Sequence, residues 1–267
     1  GIPMTASIVN SDNLLFSQER NLYKSYKKTL FKDSLIDNHV ISNLYLLIKK
    51  AHKKKSDYKA ANSLDNEYLS NLCFLLRGLQ REILEYPIEF SNEKKEKIEK
   101  RCEELIDVCD DGGSNFDEEI KIFLDGHIEV ILNIGNIRQN KIIELLNKNP
   151  DLDKILVRTK KDAERLNTVN FYNNKVTFLS YDEIKNMKYS DNIIYPVFPF
   201  GDMKDFVASG GFASKVYCVM FKEEFNFFKK IISNLEVNNK HNVLNRNKQT
   251  AEKLGYDFFT NIEIPEF

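Results

Sequence analysis

The chain has 267 residues, 42% of them hydrophobic and 30% charged, and a net charge of −1. That is enough apolar material for one or two packed domains. The near-neutral charge excludes a whole-surface pull toward nucleic acid or membrane, so any such contact must come from a local patch.

The opening GIPMTAS reads as a cloning remnant or a cut site. No apolar run of about 18 residues is present, so no helical membrane span is expected. No basic segment leads into an apolar stretch, as a secretion signal would require. Leu14, Leu15, Leu22, Tyr26 and Leu30 recur at near-helical spacing and predict a first helix. A second is expected over 34–53, with Leu35, Ile36, Val40, Ile41, Leu44, Leu47 and Ile48 as its apolar stripe. Ser34 is placed as its N-cap, with Asp37 three residues on. It ends in KKAHKKK (49–55), where Lys53, Lys54 and Lys55 either offset the helix dipole as solvated charges or contact phosphates without reading bases.

A third helix is expected from about Leu64 to Glu85, stopped by Pro87. A fourth starts at Ser91 and carries Ile98, Cys102, Leu105, Ile106 and Cys109 on one face. Residues 110–115 (DDGGSN) then read as a linker, which divides the chain into a helical region 1–110 and an α/β domain 116–267. The four cysteines fit no zinc spacing, and four scattered histidines add no ligand pair, so no metal or other cofactor is expected. The thiols read as reduced, in a cytoplasmic protein.

Beyond 115 the pattern changes. Apolar runs rich in β-branched and aromatic residues alternate with amphipathic helices. The runs are IKIFL (120–124), IEVILNIG (128–135), KILVRT (154–159), KVTFLS (175–180), NIIYPVF (192–198) and KVYCVMF (215–221). Such alternation predicts a mainly parallel sheet, with strands buried on both faces. The fold expected is thus α+β overall: a helical N-terminal region, then a RecA-like or Rossmann-like α/β domain.

In KILVRTKKDAERL (154–166) a strand turns sharply into a helix. Thr159 stands where an N-cap is wanted and Asp162 three residues later, close to a capping box. A helix start at the carboxyl edge of a parallel sheet suits an anion, and Lys160 and Lys161 add charge. The plainer alternative is a cap with solvated lysines, since TKKD has no glycine to admit a phosphate closely. No GxxxxGK(S/T) or GxGxxG loop occurs, so the chain lacks an NTP cradle of its own and no catalysis is expected from it alone.

The succession IIELLNKNPDLDKILVRTKKDAERL, KVTFLSYDEI and SDNIIYPVFPFGDMKDFVASGGFASKVYCVMFKEEFNFFKK resembles the second RecA-like domain of superfamily 1 and 2 helicases, over about residues 136–234. ILVRTKKDAERL is similar to the family's motif that touches the nucleic-acid backbone, which implies that Arg158, Thr159 and Lys160 approach phosphates. The arginine-rich QxxGRxGR motif is absent, so no arginine finger carries over. The first RecA-like domain, with its P-loop and DExx box, is absent too. The resemblance thus implies the C-terminal part of a larger helicase-like protein, such as those of bacterial anti-phage defence, or a degenerate relative. The function expected is a non-catalytic nucleic-acid-associated or assembly module. One alternative is a protein-interaction module of a defence or repair complex. Another is a Mg²⁺-dependent nuclease of the PD-(D/E)xK kind built on Asp111, Glu119 and Lys121, whose carboxylates would hold the ion.

Overall fold

A computed structural model describes residues 30–58, 63–186, 190–197, 207 and 213–234. The chain opens with a strand, β1 (Leu30–Ile36). Five helices follow: α1 (His39–Tyr58), α2 (Ser63–Leu84), α3 (Asn92–Gly112), α4 (Asn115–Leu132) and α5 (Ile134–Lys148). Then come β2 (Lys154–Val157), α6 (Lys160–Asn167), β3 (Thr177–Ser180), α7 (Tyr181–Asn186), β4 (Ser190–Tyr195) and β5 (Ala213–Phe221). Residues 222–234 form a last described helix, α8.

The expected architecture is present: N-terminal helices and a parallel sheet with helices on it. Two local expectations are corrected. Ser34 is not an N-cap but lies inside β1, and Asn38 caps α1 instead, its Oδ1 accepting from the amides of Val40 at 3.0 Å and Ile41 at 3.1 Å. IKIFL and most of IEVILNIG are helical, in α4 and at the start of α5, not strands. Of the helix expected over 14–30, all but Leu30 falls outside the described residues, and Leu30 begins β1.

Helices α1 to α4 pack as a square bundle, each against its chain neighbours and α4 back against α1. Leu44, Leu72, Leu76, Leu79 and Ile120 fill its centre without exposure, each such side chain contributing about 1.5–3 kcal/mol by leaving water. Of the expected linker 110–115, residues 110–112 are the end of α3 and Asn115 begins α4, so only Gly113 and Ser114 form a tight turn. Gly113 takes a left-handed φ of 64° and donates to the Cys109 carbonyl, a conformation glycine adopts without a Cβ clash. Ser114 then caps α4 in a reciprocal box with Asp117. One buried cluster draws on residues from both sides of this turn, among them Leu105, Cys109, Phe116 and Ile120.

The sheet order is β1-β5-β4-β2-β3, all parallel. Counted from β2 as the first strand this is 2-1-3-4-5, a common doubly wound order, with the outermost strand supplied by β1 from before the helices. Alternate residues face opposite layers. Ile155, Val157, Ile194 and Val219 point to the side that carries α5 and α6, while Leu156, Ile193, Val216 and Cys218 join Phe225 and Phe228 of α8. The chain leaves β2 for β3, then crosses back past β2 to β4. The carboxyl ends of β2 and β4 therefore flank the point where the winding reverses, the usual place for a ligand in such sheets.

Candidate nucleic-acid interface

The turn after β2 stands at that reversal point. Thr159 has an extended backbone (φ −116°, ψ 155°) and caps α6, accepting from the Asp162 amide at 3.1 Å. Its hydroxyl donates to the Asp162 carboxylate at 2.6 Å. Arg158 does not project freely: it is half-buried and ion-paired with Glu85, just beyond the end of α2. Lys160 is exposed, with Glu164 at 3.7 Å one turn along. Lys161 is exposed and has no ion pair to a described residue. Of the four residues read from sequence at this turn, one is thus a cap, one a tether between layers, one an exposed cation paired along its own helix, and one, Lys161, an exposed cation with no ion pair to a described residue.

The second group lies elsewhere. Lys53, Lys54 and Lys55 occupy the last turns of α1, 15 residues beyond Asn38 for the first of them, about 22 Å along the helix. Since α2 returns antiparallel, and its end meets Arg158, the two basic groups sit at opposite ends of the α1–α2 hairpin. Lys50, Lys53 and Lys54, with Asp57, line a cleft of about 440 Å³ whose other wall is the first turns of α4, with Asn115, Phe116 and Glu119, so two carboxylates share it with the three lysines. The Lys54 ammonium lies 5.1 Å from the Phe116 ring centre. Lys50 is paired with Glu119. Lys53, Lys54 and Lys55 have no carboxylate partner among the described residues, whereas Lys94, Lys97, Lys121, Lys141 and Lys148 each do.

The Asp111, Glu119 and Lys121 trio does not converge. Glu119 and Lys121 are two residues apart on a helix and so point about 200° apart. Glu119 turns to Lys50, and Lys121 to Asp110 and Glu118, both at 2.9 Å. Those two carboxylates push the Lys121 ammonium pKa up. Among the described residues no group of three His, Cys, Asp or Glu side chains is placed to hold a metal ion. Cys73, Cys102, Cys109 and Cys218 are all buried free thiols. Of the clustered aromatics in the final segment, Phe221, Phe225 and Phe228 are core and Phe227 is exposed.

One polar site escaped sequence reading. Arg138 of α5 and Glu224 of α8 are completely buried and ion-paired, one Arg138 nitrogen, Nη2, donating to both Glu224 carboxylate oxygens at 2.7 and 2.9 Å. Arg138 also donates to the Leu84 carbonyl at 2.6 Å, and Glu224 accepts from the Phe221 amide at 2.7 Å. Burial pushes the Glu224 carboxyl up to about 7 against the lowering pull of Arg138 and that amide. The signal was present: Ile134, Arg138, Ile142 and Leu146 recur every four residues on the buried stripe of α5. A cation in an apolar stripe demands a buried anion.

No family model, curated protein or solved structure matches this chain. Among the described residues no helix is long and apolar enough to cross a membrane.

Proposed function

We propose that this chain is a non-catalytic, nucleic-acid-associated module of a helicase-like protein, gripping the phosphate backbone without reading bases. The observation that carries the reading is the run of three consecutive lysines, Lys53, Lys54 and Lys55, at the end of α1 beside a cleft, none of them ion-paired with a described residue. Lys160 and Lys161 add a second cationic point at the carboxyl edge of β2. In such a protein the ATP-hydrolysing half would come from another domain or partner.

The test is fluorescence anisotropy with single- and double-stranded DNA and RNA across a salt series. Two to three phosphate contacts at the α1 end give a slope of log affinity against log salt of about −2 to −3 on duplex, at about −0.9 per contact. Replacing Lys53, Lys54 and Lys55 together by alanine lowers the steepness of that slope by about 2 to 3. On longer duplexes, Lys160→Ala/Lys161→Ala lowers the slope further. Absence of binding at low salt, or binding indifferent to all five substitutions, removes the proposal.

A further inference from the structure

We infer that the open seam between α1 and α4 is a self-complementary surface on which a second copy of this chain docks about a two-fold axis.

Three contacts fix how the two helices run. Lys54 lies over Phe116, Lys50 pairs with Glu119, and the rings of His39 and His127 stand 5.7 Å apart. Rising numbers on one helix match falling numbers on the other, so α1 and α4 are antiparallel. At mid-height this register sets Leu46 beside Ile122. Both are among the few large apolar side chains left in water, 54% and 64% exposed. Of the four helix–helix seams of the bundle, this one is the least closed.

Charge divides sharply across the seam. The outer lip of α1 is basic, with Lys49, Lys50 and Lys53. The outer lip of α4 is acidic, with Glu118, Glu119 and Asp125, all exposed. A partner must therefore be acidic where it meets α1, basic where it meets α4, and apolar between. A second copy meets all three demands; because Lys53 belongs to both surfaces, docking of the copy and the phosphate contact proposed above exclude each other. A two-fold axis parallel to the helices and just outside the seam lays α1 of one copy over α4 of the other and keeps every residue at its own height. Lys50 then faces Glu119 of the second copy, and Leu46 faces Ile122 of the second copy. The pair within one chain becomes an alternating ring of four charges, an arrangement stronger than isolated surface pairs.

The size sets the strength. Two helices side by side over the length of α4 cover roughly 500 Å² per copy, below the 800 Å² or so of a standard stable interface, so the dimer is weak and concentration-dependent.

Sedimentation velocity over a concentration series tests this on the full chain. The expected result is a shift from a 31.2 kDa species toward twice that mass. Ile122→Glu, a change at an exposed position that leaves the circular dichroism spectrum intact, raises the dissociation constant at least tenfold. A second measurement checks the geometry. Leu46→Cys and Ile122→Cys chains, oxidised as a mixture, cross-link to each other more than either does alone. A chain that stays monomeric at every concentration overturns the inference. So does a dimer indifferent to Ile122→Glu, or cross-linking that is equal in like and unlike mixtures.

Discussion

Arg138 and Glu224 join three layers at one point: the end of α2 through the Leu84 carbonyl, α5, and the β5–α8 corner. A buried guanidinium cannot shed its charge, so its partner is obligatory. Arg138→Met removes the pull that lowers the Glu224 carboxyl, which takes up a proton and loses two bonds. The expected cost is about 3–5 kcal/mol in urea unfolding. Arg138→Met/Glu224→Leu recovers part of it, because no buried charge is left, while the Leu84 carbonyl and the Phe221 amide still lose their partners. If the double variant is as unstable as the single one, the pair is not the link described. At this scale the sequence was legible for the Thr159 cap, which follows from residue type and the spacing to Asp162. It was opaque for Arg158, whose role is set by Glu85, 73 positions earlier.

The elements were legible where one period was clean. β2, β3 and β5 were read to within about two residues, because buried parallel strands are short apolar runs bounded by polar turns. Helix α4 was misread because Phe116, Ile120, Phe123, Leu124 and Ile131 are buried on one side while Ile122 lies exposed on another. Apolar residues on two sides hide the helical period. β1 was missed because Ser34 and Asp37 imitate a capping box over a stretch that pairs with β5. The joint between α2 and α3 carries a dependence on acidity. Burial raises the Glu82 carboxyl, but Lys94 and Lys97 outweigh it and hold it below the ordinary range. A carboxylate lowered on folding stabilises above its unfolded pKa, about 4.3, and that contribution is lost as pH falls through its folded value. Glu82→Gln is therefore less stable than the parent near neutrality, and the gap closes on acidification. A gap that does not change with pH would mean the lysines leave Glu82 unaffected.

At the scale of the molecule, the helical bundle and the sheet share one buried cluster that runs from Val40 through Ile120 to Phe221. The sheet itself is completed by a strand from before the bundle. Leu30 to Ile36 pair with Lys215 to Phe221 in unbroken parallel register. Deleting residues 30–36 leaves β5 as an edge of nine residues, with Val216, Cys218 and Met220 on a face that is now less covered. Exposed apolar edges template aggregation. The truncated chain should scatter light at concentrations where the parent stays clear, and a clear solution would show that β1 is dispensable.

That strand has a further consequence on the ribosome. Leu30 is made 185 residues before Lys215, the position it pairs with. At about 5–20 residues per second, β1 waits roughly 10–40 s for its partner. The bundle, built from contacts close in sequence, can close during that interval. Through the wait, the charges of Lys32 and Asp33 interrupt the apolar run of the strand, a guard against pairing with the nascent chain of a neighbouring ribosome.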